Sequence, residues 1–433
     1  MPPRRCAGTY WNAWIDSGES RPGEVAALSL SGKIERVTRG MPWARRAVRG
    51  AAWLRRHAFM FVVGAVRGIE EDKVVFSSFE SSAYNDSPRY ISEAMHALDP
   101  KVKQVWLLRD GAYDTVSLPP YAIRAHAVGR DGIAHLATAK AWVDNVKKTN
   151  THLLRWKKQV YFNTWHGDRG FKRVGKDNGK EKFERRLERH CAAMIAGSRF
   201  GADNYRTAFE FQGRVLMDGI PRNDILVRND PAEAAALRAK MGFSANDRLM
   251  VFAPTYRDHQ ASAMRAELDI PRVLDILEEI TGARWKGILR LHYRSSGIDV
   301  GTRDPRLVDM CAYPEMTEIL AVADLLISDY SSCAGDFILR GDRPAILYQS
   351  DIDRYRSGSR ELYVDMDETP FFIAHDMDEL EAILRGLTPE SIRENCRQWR
   401  EFFGVTETGH AAEASARFIL RAMGRPPKEE TTP

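Results

Sequence analysis

Short apolar runs alternate with amphipathic stretches along most of the chain from residue 70 onwards. KVVFSSF, KQVWLL and VYFN have the composition of short apolar strands, whereas SPRYISEAMHAL and IPRVLDILEEITG place apolar residues at helical spacing. Alternation of strands with helices is typical of a parallel sheet that is covered by helices on both faces. The pattern therefore predicts an α/β protein.

The alternation comes in two sets, which divides the chain. The first set ends near GIPRNDIL, residues 219–226, and the second begins with helical PAEAAALRAKMGF. A chain of 433 residues has room for two domains of roughly 150 to 200 residues each. We predict an N-terminal segment (1–69), a first doubly wound domain (70–226), a second doubly wound domain (227–425) and a polar tail (426–433). Within the first domain we expect ERRLERHCAAMI, residues 184–195, to be helical.

Residues 41–68 project as an amphipathic basic helix. Arg45, Arg46, Arg49 and Arg56 gather on one side of this projection. Such a helix can lie in the interface of an anionic membrane, and the alternative is a helix packed on the body with a solvated arginine face. The residues that recur at helical spacing on the apolar side are Trp43, Ala47, Ala51, Leu54, Ala58 and Phe61.

Charge is concentrated at one end of the chain. The net charge is +5, but residues 1–69 carry +8, which leaves −3 for residues 70–433. This distribution favours the membrane interpretation of the basic helix and argues against a nucleic-acid-binding surface on the body.

Cysteine spacing and apolar run lengths exclude several other classes. The five cysteines are scattered without C-x-x-C or zinc-finger spacing, so we expect neither a disulfide framework nor a zinc site, and a reducing cytoplasm is the simpler setting. The longest apolar run, AFMFVVGAV, is far shorter than the roughly 20 residues that span a bilayer. We therefore expect neither export nor membrane spanning.

Two histidines follow predicted strands. TWHG places His166 after VYFN, and LRLHYR places His292 after the strand ILRL. In parallel sheets, ligands bind beyond the carboxyl ends of the strands. A lone histidine is more often a core or surface residue, so neither position is informative by itself.

Hydroxyl and guanidinium groups follow two further strands. Ser331 and Ser332 come after the strand LLIS and before a predicted helix, where they can receive a phosphate or simply cap the helix. Thr255 and Arg257 in APTYR can bind phosphate oxygens. Together these motifs suit a cleft between domains in which a neutral histidine removes a proton from an attacking hydroxyl while other groups stabilise a leaving phosphate.

The order and spacing of motifs across residues 74–375 resemble the CDP-glycerol glycerophosphotransferases, a family that polymerises or primes teichoic acids and some capsules. The segments that carry the resemblance are VFSSFESSAYNDSPRYI, NTWHGDRGFKRVGKD, SRFGADNYRTAF, GIPRNDIL, VFAPTYRD, LRLHYR, the block from YPEMTEILAVADLLISDYSSCAGDFIL through RPAILYQSDIDRY, and ELYVDMDETPFF.

The resemblance implies a glycosyltransferase-B type architecture, in which two Rossmann-like domains face a cleft and the second holds most of the donor. It implies transfer of a polyol phosphate from CDP-glycerol or CDP-ribitol to a hydroxyl of a lipid-linked acceptor, with release of CMP. The protein would then be peripheral, on the cytoplasmic face of the plasma membrane. Neither a cofactor nor a metal is required by this reaction, and the oligomeric state is left open.

The resemblance also assigns roles to individual residues. His166 becomes the catalytic base and His292 its partner at the donor pyrophosphate. The donor phosphate contacts are Ser331, Ser332, Arg257 and Thr255, and the candidates for the ribose or nucleotide are Asp336 and Asp329. The acceptor-side candidates are Trp165, Gly167, Arg169 and Lys172.

The chain departs from the family's usual wording at two places. Asp168, Arg169 and Gly170 stand where a threonine-proline-leucine run commonly follows WHG, and Tyr293 stands where a proline often follows the second histidine. The first departure lies beside the acceptor side that the resemblance implies. The reaction class is unaffected, but the polyol and the acceptor stay open.

Two other functions remain as alternatives. One is a glycosyltransferase that moves a sugar from a nucleotide-sugar donor, although that class has no need for the pair of TWHG and SDYSS motifs. The other is a membrane-associated scaffold of a cell-envelope complex without turnover, for which replacing His166 would leave the cellular role intact.

Overall fold

The computed structural model describes residues 42–146, 158–179, 191–255, 268–291, 304–353, 355 and 361–426. The first half of the chain, within these ranges, contains the following elements: α1 (Pro42–Arg67), β1 (Glu70–Ser77), α2 (Asp86–Leu98), β2 (Lys103–Leu108), α3 (Ala112–Thr115), β3 (Ala122–His126), α4 (Arg130–Thr138), β4 (Ala139–Asp144), β5 (Val160–Asn163), β6 (Ala193–Ile195), α5 (Arg199–Ala208) and β7 (Arg214–Leu216).

The second half follows the same alternation within the described ranges. Its elements are α6 (Asp224–Arg228), α7 (Pro231–Lys240), β8 (Arg248–Phe252), α8 (Ile270–Thr281), β9 (Trp285–Leu289), β10 (Leu307–Asp309), α9 (Met316–Val322), β11 (Leu325–Ser328), α10 (Cys333–Phe337), β12 (Ala345–Tyr348), β13 (Phe372–Ala374), α11 (Met377–Gly386), α12 (Pro389–Phe403) and α13 (Ala411–Ala422).

The strands form two separate parallel sheets. In the described part of the chain, the first sheet has seven strands in the order β3-β2-β1-β4-β5-β6-β7, and the second has six in the order β10-β9-β8-β11-β12-β13. In both sheets the order reverses between the first strand and the fourth, as it does in Rossmann-type sheets. The prediction of an α/β fold with two parallel sheets is confirmed.

Both faces of each sheet are buried, which explains why the strands are continuous apolar runs. In β1, Val75 packs into one hydrophobic cluster while Val74 and Phe76 pack into another on the opposite face. In β8, Val251 and Met250 likewise belong to different clusters. Successive side chains of a strand point to opposite faces, so a strand covered on both sides must be apolar at every position.

Several helices begin at polar capping residues that the sequence supplies. The Ser198 hydroxyl accepts a hydrogen bond from the Gly201 amide at 3.0 Å, which starts α5 directly after β6. The Asp376 carboxylate accepts hydrogen bonds from two amides at the start of α11. Such caps satisfy backbone donors that the first helical turn leaves unpaired.

Local structure differs from the sequence prediction in one segment of the first domain. Residues 184–195 were expected to be helical, but the described end of that segment forms strand β6, which pairs with β5 and β7. The physical reason is burial, because Ala193, Met194 and Ile195 lie in the sheet interior with almost no exposed surface. Residues 180–190 lie outside the described residues.

The last helix, α13, packs on the first sheet although it follows the second sheet in the chain. Its apolar residues Ala416, Ile419 and Leu420 share a hydrophobic cluster with Val74 of β1 and Ile91 of α2. The predicted boundary near residue 226 stays a prediction, but the predicted extent of the second domain, 227–425, needs correction. Residues 411–423 cover the first sheet instead.

The described helices include none that combines the length and the apolar composition needed to cross a bilayer.

Replacing Leu420 with alanine should destabilise the first domain selectively. Leu420 is fully buried, and truncating such a side chain costs about 2–5 kcal/mol. Hydrogen exchange should show the largest loss of amide protection in α2 and β1. Arg421→Ala, on the exposed side of the same helix, serves as control. A greater loss of amide protection in β8 and β11 than in β1 would contradict the packing of α13 on the first sheet.

Candidate active site

The carboxyl ends of the two sheets carry the predicted motifs. The order of the first sheet reverses between β1 and β4, and that of the second reverses between β8 and β11. TWHG follows β5, beside β4, while the loops that contain Thr255 and Asp329 follow β8 and β11. Crevices of this kind are where ligands bind in open α/β sheets, so the topology places these motifs at two ligand-binding edges.

His166 is held by a backbone carbonyl at the end of a neighbouring strand. Its Nδ1 lies 2.8 Å from the carbonyl oxygen of Asn145, the first residue after β4. A carbonyl oxygen can only accept a hydrogen bond, so Nδ1 carries the proton in the neutral ring. The lone pair is then on Nε2, which is the atom that can act as a base.

The surroundings of His166 keep the imidazole neutral. Burial lowers the pKa of His166, and the hydrogen bond to Asn145 and the charge of Asp86 offset this only in part. The charge of Arg222 lowers the same pKa further. Some of the side chain nevertheless remains exposed. A neutral histidine at physiological pH can accept a proton, as a general base must.

The loop after β1, residues 78–85 and here called the β1 loop, packs over His166 in an unusual conformation. Phe79, Glu80 and Ser81 have φ values of 42°, 58° and 68°, all in the left-handed region that non-glycine residues rarely adopt. The Phe79 ring meets the His166 ring edge-on, with 5.6 Å between centroids. Backbone strain of this kind tends to persist at functional sites.

Asp329 organises the donor-side motifs of the second sheet. Its carboxylate accepts hydrogen bonds from the Thr255 amide at 2.9 Å and from the Thr255 hydroxyl at 3.0 Å. It also accepts one from the Tyr330 amide at 2.5 Å. Asp329 thus ties the loop after β8 to the loop after β11, where Ser331 and Ser332 stay partly exposed.

Residues 164–174, here called the TWHG loop, follow β5 in the first sheet. They meet residues 329–332, here called the DYSS loop, which follow β11 in the second sheet. A Cβ placed on Gly170 would lie 3.7 Å from the Cβ of Ser332. Further along, a Cβ on Gly335 would come within 2.8 Å of the Arg169 Cβ, so only glycine permits this approach. The structure therefore brings together two motifs that are more than 150 residues apart in the sequence.

Arg169 is a buried link between the domains, which corrects the prediction that it lies on the acceptor side. Its guanidinium has no exposed surface and donates to the Gly335 carbonyl at 2.9 Å and to the Asp336 carboxylate at 2.8 Å. It also donates to Asp168 at 2.9 Å and to Glu407 at 2.8 Å. With these four partners enclosing it, the guanidinium cannot reach a substrate.

Asp336, which the resemblance made a candidate for binding the ribose, is instead committed to the interface between the two sheets. One carboxylate oxygen accepts from Arg169 and Asn223, and the other accepts from Arg222 at 3.0 Å. Burial opposes ionisation, but the charges of Arg222 and Arg169 outweigh it and hold the pKa of Asp336 below its ordinary value.

These side chains belong to a larger group, here called the interdomain ion cluster. Arg222 lies within 3.3 Å of the Asp86 carboxylate, and the Asp86 amide donates to Glu315 at 2.7 Å. The cluster contains more acidic than basic groups. Burial is the larger cause that raises the pKa of Glu315, and the negative charge of the nearby Asp86 raises it further. Its members are Asp86, Asp168, Arg169, Arg222, Glu315, Asp336 and Glu407.

The remaining acceptor-side candidates occupy different environments. Trp165, with a φ of 52°, lies against His166 and meets Phe209 edge-on at 4.6 Å between centroids. Among the described residues, a Cβ on Gly167 would meet the Trp165 indole nitrogen alone, at 3.8 Å. Lys172 instead lies towards the second domain, with its Nζ 5.7 Å from the Tyr355 ring centroid.

Two predicted site residues, Arg257 and His292, lie outside the described residues. Arg257 follows β8 and His292 follows β9, the neighbouring strand in the second sheet. Their roles stay predictions. Across the described residues, no group of three or more His, Cys, Asp or Glu side chains is arranged to hold a metal ion.

Sequence reasoning missed Asn145 and Glu407. Asn145 directly follows the apolar strand AKAWVD, and that strand-end position was the available signal. Glu407 lies between α12 and α13 in a segment without a recognisable motif, so nothing in the sequence pattern pointed to it. Its contacts join it to Arg169 and Asn223, which lie 238 and 184 residues away along the chain.

Glu407 should make stability depend on pH. Burial raises its pKa to about 7 from an ordinary value of 4.5, although the charge of Arg169 opposes the rise. Between these values the unfolded carboxyl is ionised while the folded one stays protonated. The free energy of unfolding should therefore fall as pH rises from 4.5 to 7, in total by something on the order of 3 kcal/mol.

In Glu407→Gln this part of the pH-dependent decrease in the free energy of unfolding should be absent, because an amide cannot ionise. Urea unfolding at a series of pH values between 5 and 8 measures it. Glu401→Gln, an exposed position on α12, controls for the loss of one carboxyl group. Equal slopes for the wild type and Glu407→Gln would contradict the raised pKa.

The chain is similar to a protein family, to individual bacterial polymerases and to a solved structure. A family model described as CDP-Glycerol:Poly(glycerophosphate) glycerophosphotransferase matches residues 58–420. The teichoic acid poly(glycerol phosphate) polymerase of Staphylococcus epidermidis is 29% identical over 320 residues, covering 70% of this chain and 44% of that protein. The polymerase of the same name from Bacillus subtilis is 26% identical over 417 residues, covering 91% and 53%. The chain spans about half the length of these two relatives.

A solved structure has the same fold. The wall teichoic acid polymerase TagF, in a variant with one histidine replaced by alanine, aligns with a TM-score of 0.75 and 26% identity. The alignment covers 88% of this chain and 97% of that one. Since the family model extends over most of the sequence, the chain belongs to the CDP-glycerol:poly(glycerophosphate) glycerophosphotransferase family.

Proposed function

We propose that the protein transfers glycerol phosphate, or a related polyol phosphate, from a CDP-linked donor to the terminal hydroxyl of a lipid-linked acceptor of the teichoic acid or capsule type. The observation that carries this proposal is the state of His166. A neutral imidazole with its proton fixed on Nδ1 lies in a loop that meets the Ser332 loop of the other domain.

In the proposed reaction, Nε2 of His166 removes the proton of the acceptor hydroxyl. The acceptor oxygen then forms a bond to the phosphorus that carries the polyol, and the pyrophosphate bond to CMP breaks. CMP leaves with the electron pair of that bond. Because charge develops on the leaving phosphate, hydrogen-bond donors around it lower the barrier.

The second domain is the proposed donor site, as in glycosyltransferase-B enzymes. Ser331 and Ser332 offer hydroxyls on the loop after β11. The single hydroxyl proton of Thr255 is already donated to Asp329, so Thr255 instead helps to fasten the loops after β8 and β11 together. Arg257 and His292 follow the adjacent strands β8 and β9 in the sequence, and we propose them as further donors to the pyrophosphate. Asp329 then acts by fixing these loops rather than by direct contact with the nucleotide.

The first domain is the proposed acceptor site. Trp165 and Gly167 flank His166 and remain partly exposed, so they stay in the proposal. Lys172 is also proposed as an acceptor contact, on the side that faces the second domain. There its Nζ lies over the Tyr355 ring, which stacks on Tyr330 with 3.8 Å between centroids. Arg169 and Asp336 are not proposed as substrate contacts, because both are enclosed in the interdomain ion cluster.

His166→Ala should abolish most of the turnover. A general base contributes about 10²- to 10⁴-fold, so CMP release should fall by a factor in that range. The assay uses CDP-glycerol and, separately, CDP-ribitol, each with a lipid-linked glycerophosphate acceptor. In the wild type the acid limb of kcat/KM should lie below pH 6.5, because the pKa of His166 is lowered from that value.

His126→Ala, on the edge strand β3, is the matched histidine control and should retain wild-type turnover. Consumption of one donor but not the other names the polyol. Turnover of a nucleotide-sugar instead of either CDP-polyol would favour the glycosyltransferase alternative. Full activity of His166→Ala would rule out His166 as the base.

We also propose that α1 rests on the anionic cytoplasmic face of the plasma membrane. The apolar stripe predicted from the sequence is exposed along the helix, and Trp43, Leu54 and Phe61 are 72%, 63% and 62% exposed. The opposite side, with Met60 and Val63, packs into the core cluster beneath α4. A helix attached by one side and apolar on the other, in a segment of net charge +8, suits an anionic bilayer surface.

Replacing Trp43 and Phe61 together with serine should weaken vesicle binding. Each buried aromatic side chain contributes about 1.5–3 kcal/mol, so the partition coefficient onto phosphatidylglycerol vesicles should drop at least about tenfold. Sedimentation with such vesicles measures the change, and phosphatidylcholine vesicles should bind less protein. Ile123→Ser, an exposed apolar position on β3, is the control. Unchanged binding by the double variant would exclude α1 as the contact.

A further inference from the structure

We infer that Asn145 is a positioning residue that selects the tautomer of His166 and couples it to the strained β1 loop. The inference rests on the proposed function, because it concerns the group proposed as the base. Asn145 carries three hydrogen bonds that join β4, the β1 loop and the TWHG loop.

The side-chain amide of Asn145 anchors the β1 loop. Its side-chain Oδ1 accepts a hydrogen bond from the Phe79 amide at 2.8 Å. Its Nδ2 donates to the Ser78 hydroxyl at 3.3 Å, and that hydroxyl donates to the Asn85 side chain at 2.7 Å. An asparagine can both accept and donate, so one side chain anchors two consecutive positions of the β1 loop.

The backbone of Asn145 contacts the imidazole of His166. Its carbonyl oxygen is the acceptor for Nδ1 of His166, and the whole residue is buried. Because the side chain is fastened to Ser78 and Phe79, the carbonyl is held at a fixed place relative to the imidazole. The side chain therefore controls, through its own backbone, which ring nitrogen carries the proton.

The backbone of the β1 loop is strained. Phe79 adopts a φ of 42°, which is unfavourable for a bulky residue, and it is followed by two more left-handed residues. Such a conformation persists only where surrounding contacts over-determine it. The Phe79 amide is held by Asn145 and its ring packs on His166, so one asparagine stabilises both the loop and the histidine.

Selective ¹⁵N labelling of histidine tests the inference without requiring turnover. His166→Gln identifies the His166 signals, and a neutral-pH spectrum reports which nitrogen is protonated. In the wild type we expect the proton on Nδ1. In Asn145→Ala we expect exchange between both tautomers, with kcat for CMP release reduced about tenfold or more and KM changed little. Ser78→Ala, which removes one anchor only, should shift the spectrum in the same direction by a smaller amount.

Asn395→Ala is the matched control, since Asn395 is a buried asparagine on α12 that hydrogen-bonds Pro370 and not the β1 loop. It should leave the His166 signals unchanged even if it lowers stability. A wild-type proton on Nε2, or identical His166 spectra in wild type, Asn145→Ala and Ser78→Ala, would overturn the inference. Inactivity towards every donor would count against the proposed function alone, because the tautomer spectrum is read independently.

Discussion

The buried salt bridge between Arg169 and Asp336 is the interaction on which the arrangement of the two domains depends. Arg169 extends from the TWHG loop of the first sheet, and Asp336 lies in the short helix that follows the DYSS loop of the second. A buried ion pair adds little net stability, but removing one partner leaves an uncompensated charge. The pair therefore fixes geometry: it keeps the two loops that bear the proposed chemistry side by side.

The same interface explains why an unusual sequence follows the histidine. Asp168, Arg169 and Gly170 depart from the family's common wording, and the first two have a structural task here. Asp168 accepts from the Ser198 hydroxyl and the Gly197 amide, and Arg169 crosses to the second domain. Of the residues beside the histidine, Arg169 therefore takes part in joining the two domains.

Much of the fold and part of the site could be predicted from the sequence, because both depend on local pattern. Continuous apolar strands such as LLIS and VYFN predict a sheet that is buried on both faces, and TWHG directly follows one of these strands. The interdomain ion cluster could not be predicted, since the pairing of Arg169 with Glu407 depends on how distant segments fold together. For the same reason Arg169, beside the TWHG motif, is predicted from the sequence to contact a substrate, whereas in the structure it is a buried link between the two sheets.

The return of α13 to the first sheet has a consequence for biosynthesis. The first sheet is complete in the chain by Leu216, yet one of its faces is covered in part by residues 411–423. During translation that face lacks its cover until nearly the whole second domain has been made. The apolar side chains of β1 and α2 therefore stay accessible to chaperones, or to a second nascent chain, for about 200 residues of synthesis. The amino-terminal half can reach its final state only after the carboxyl-terminal half has emerged from the ribosome.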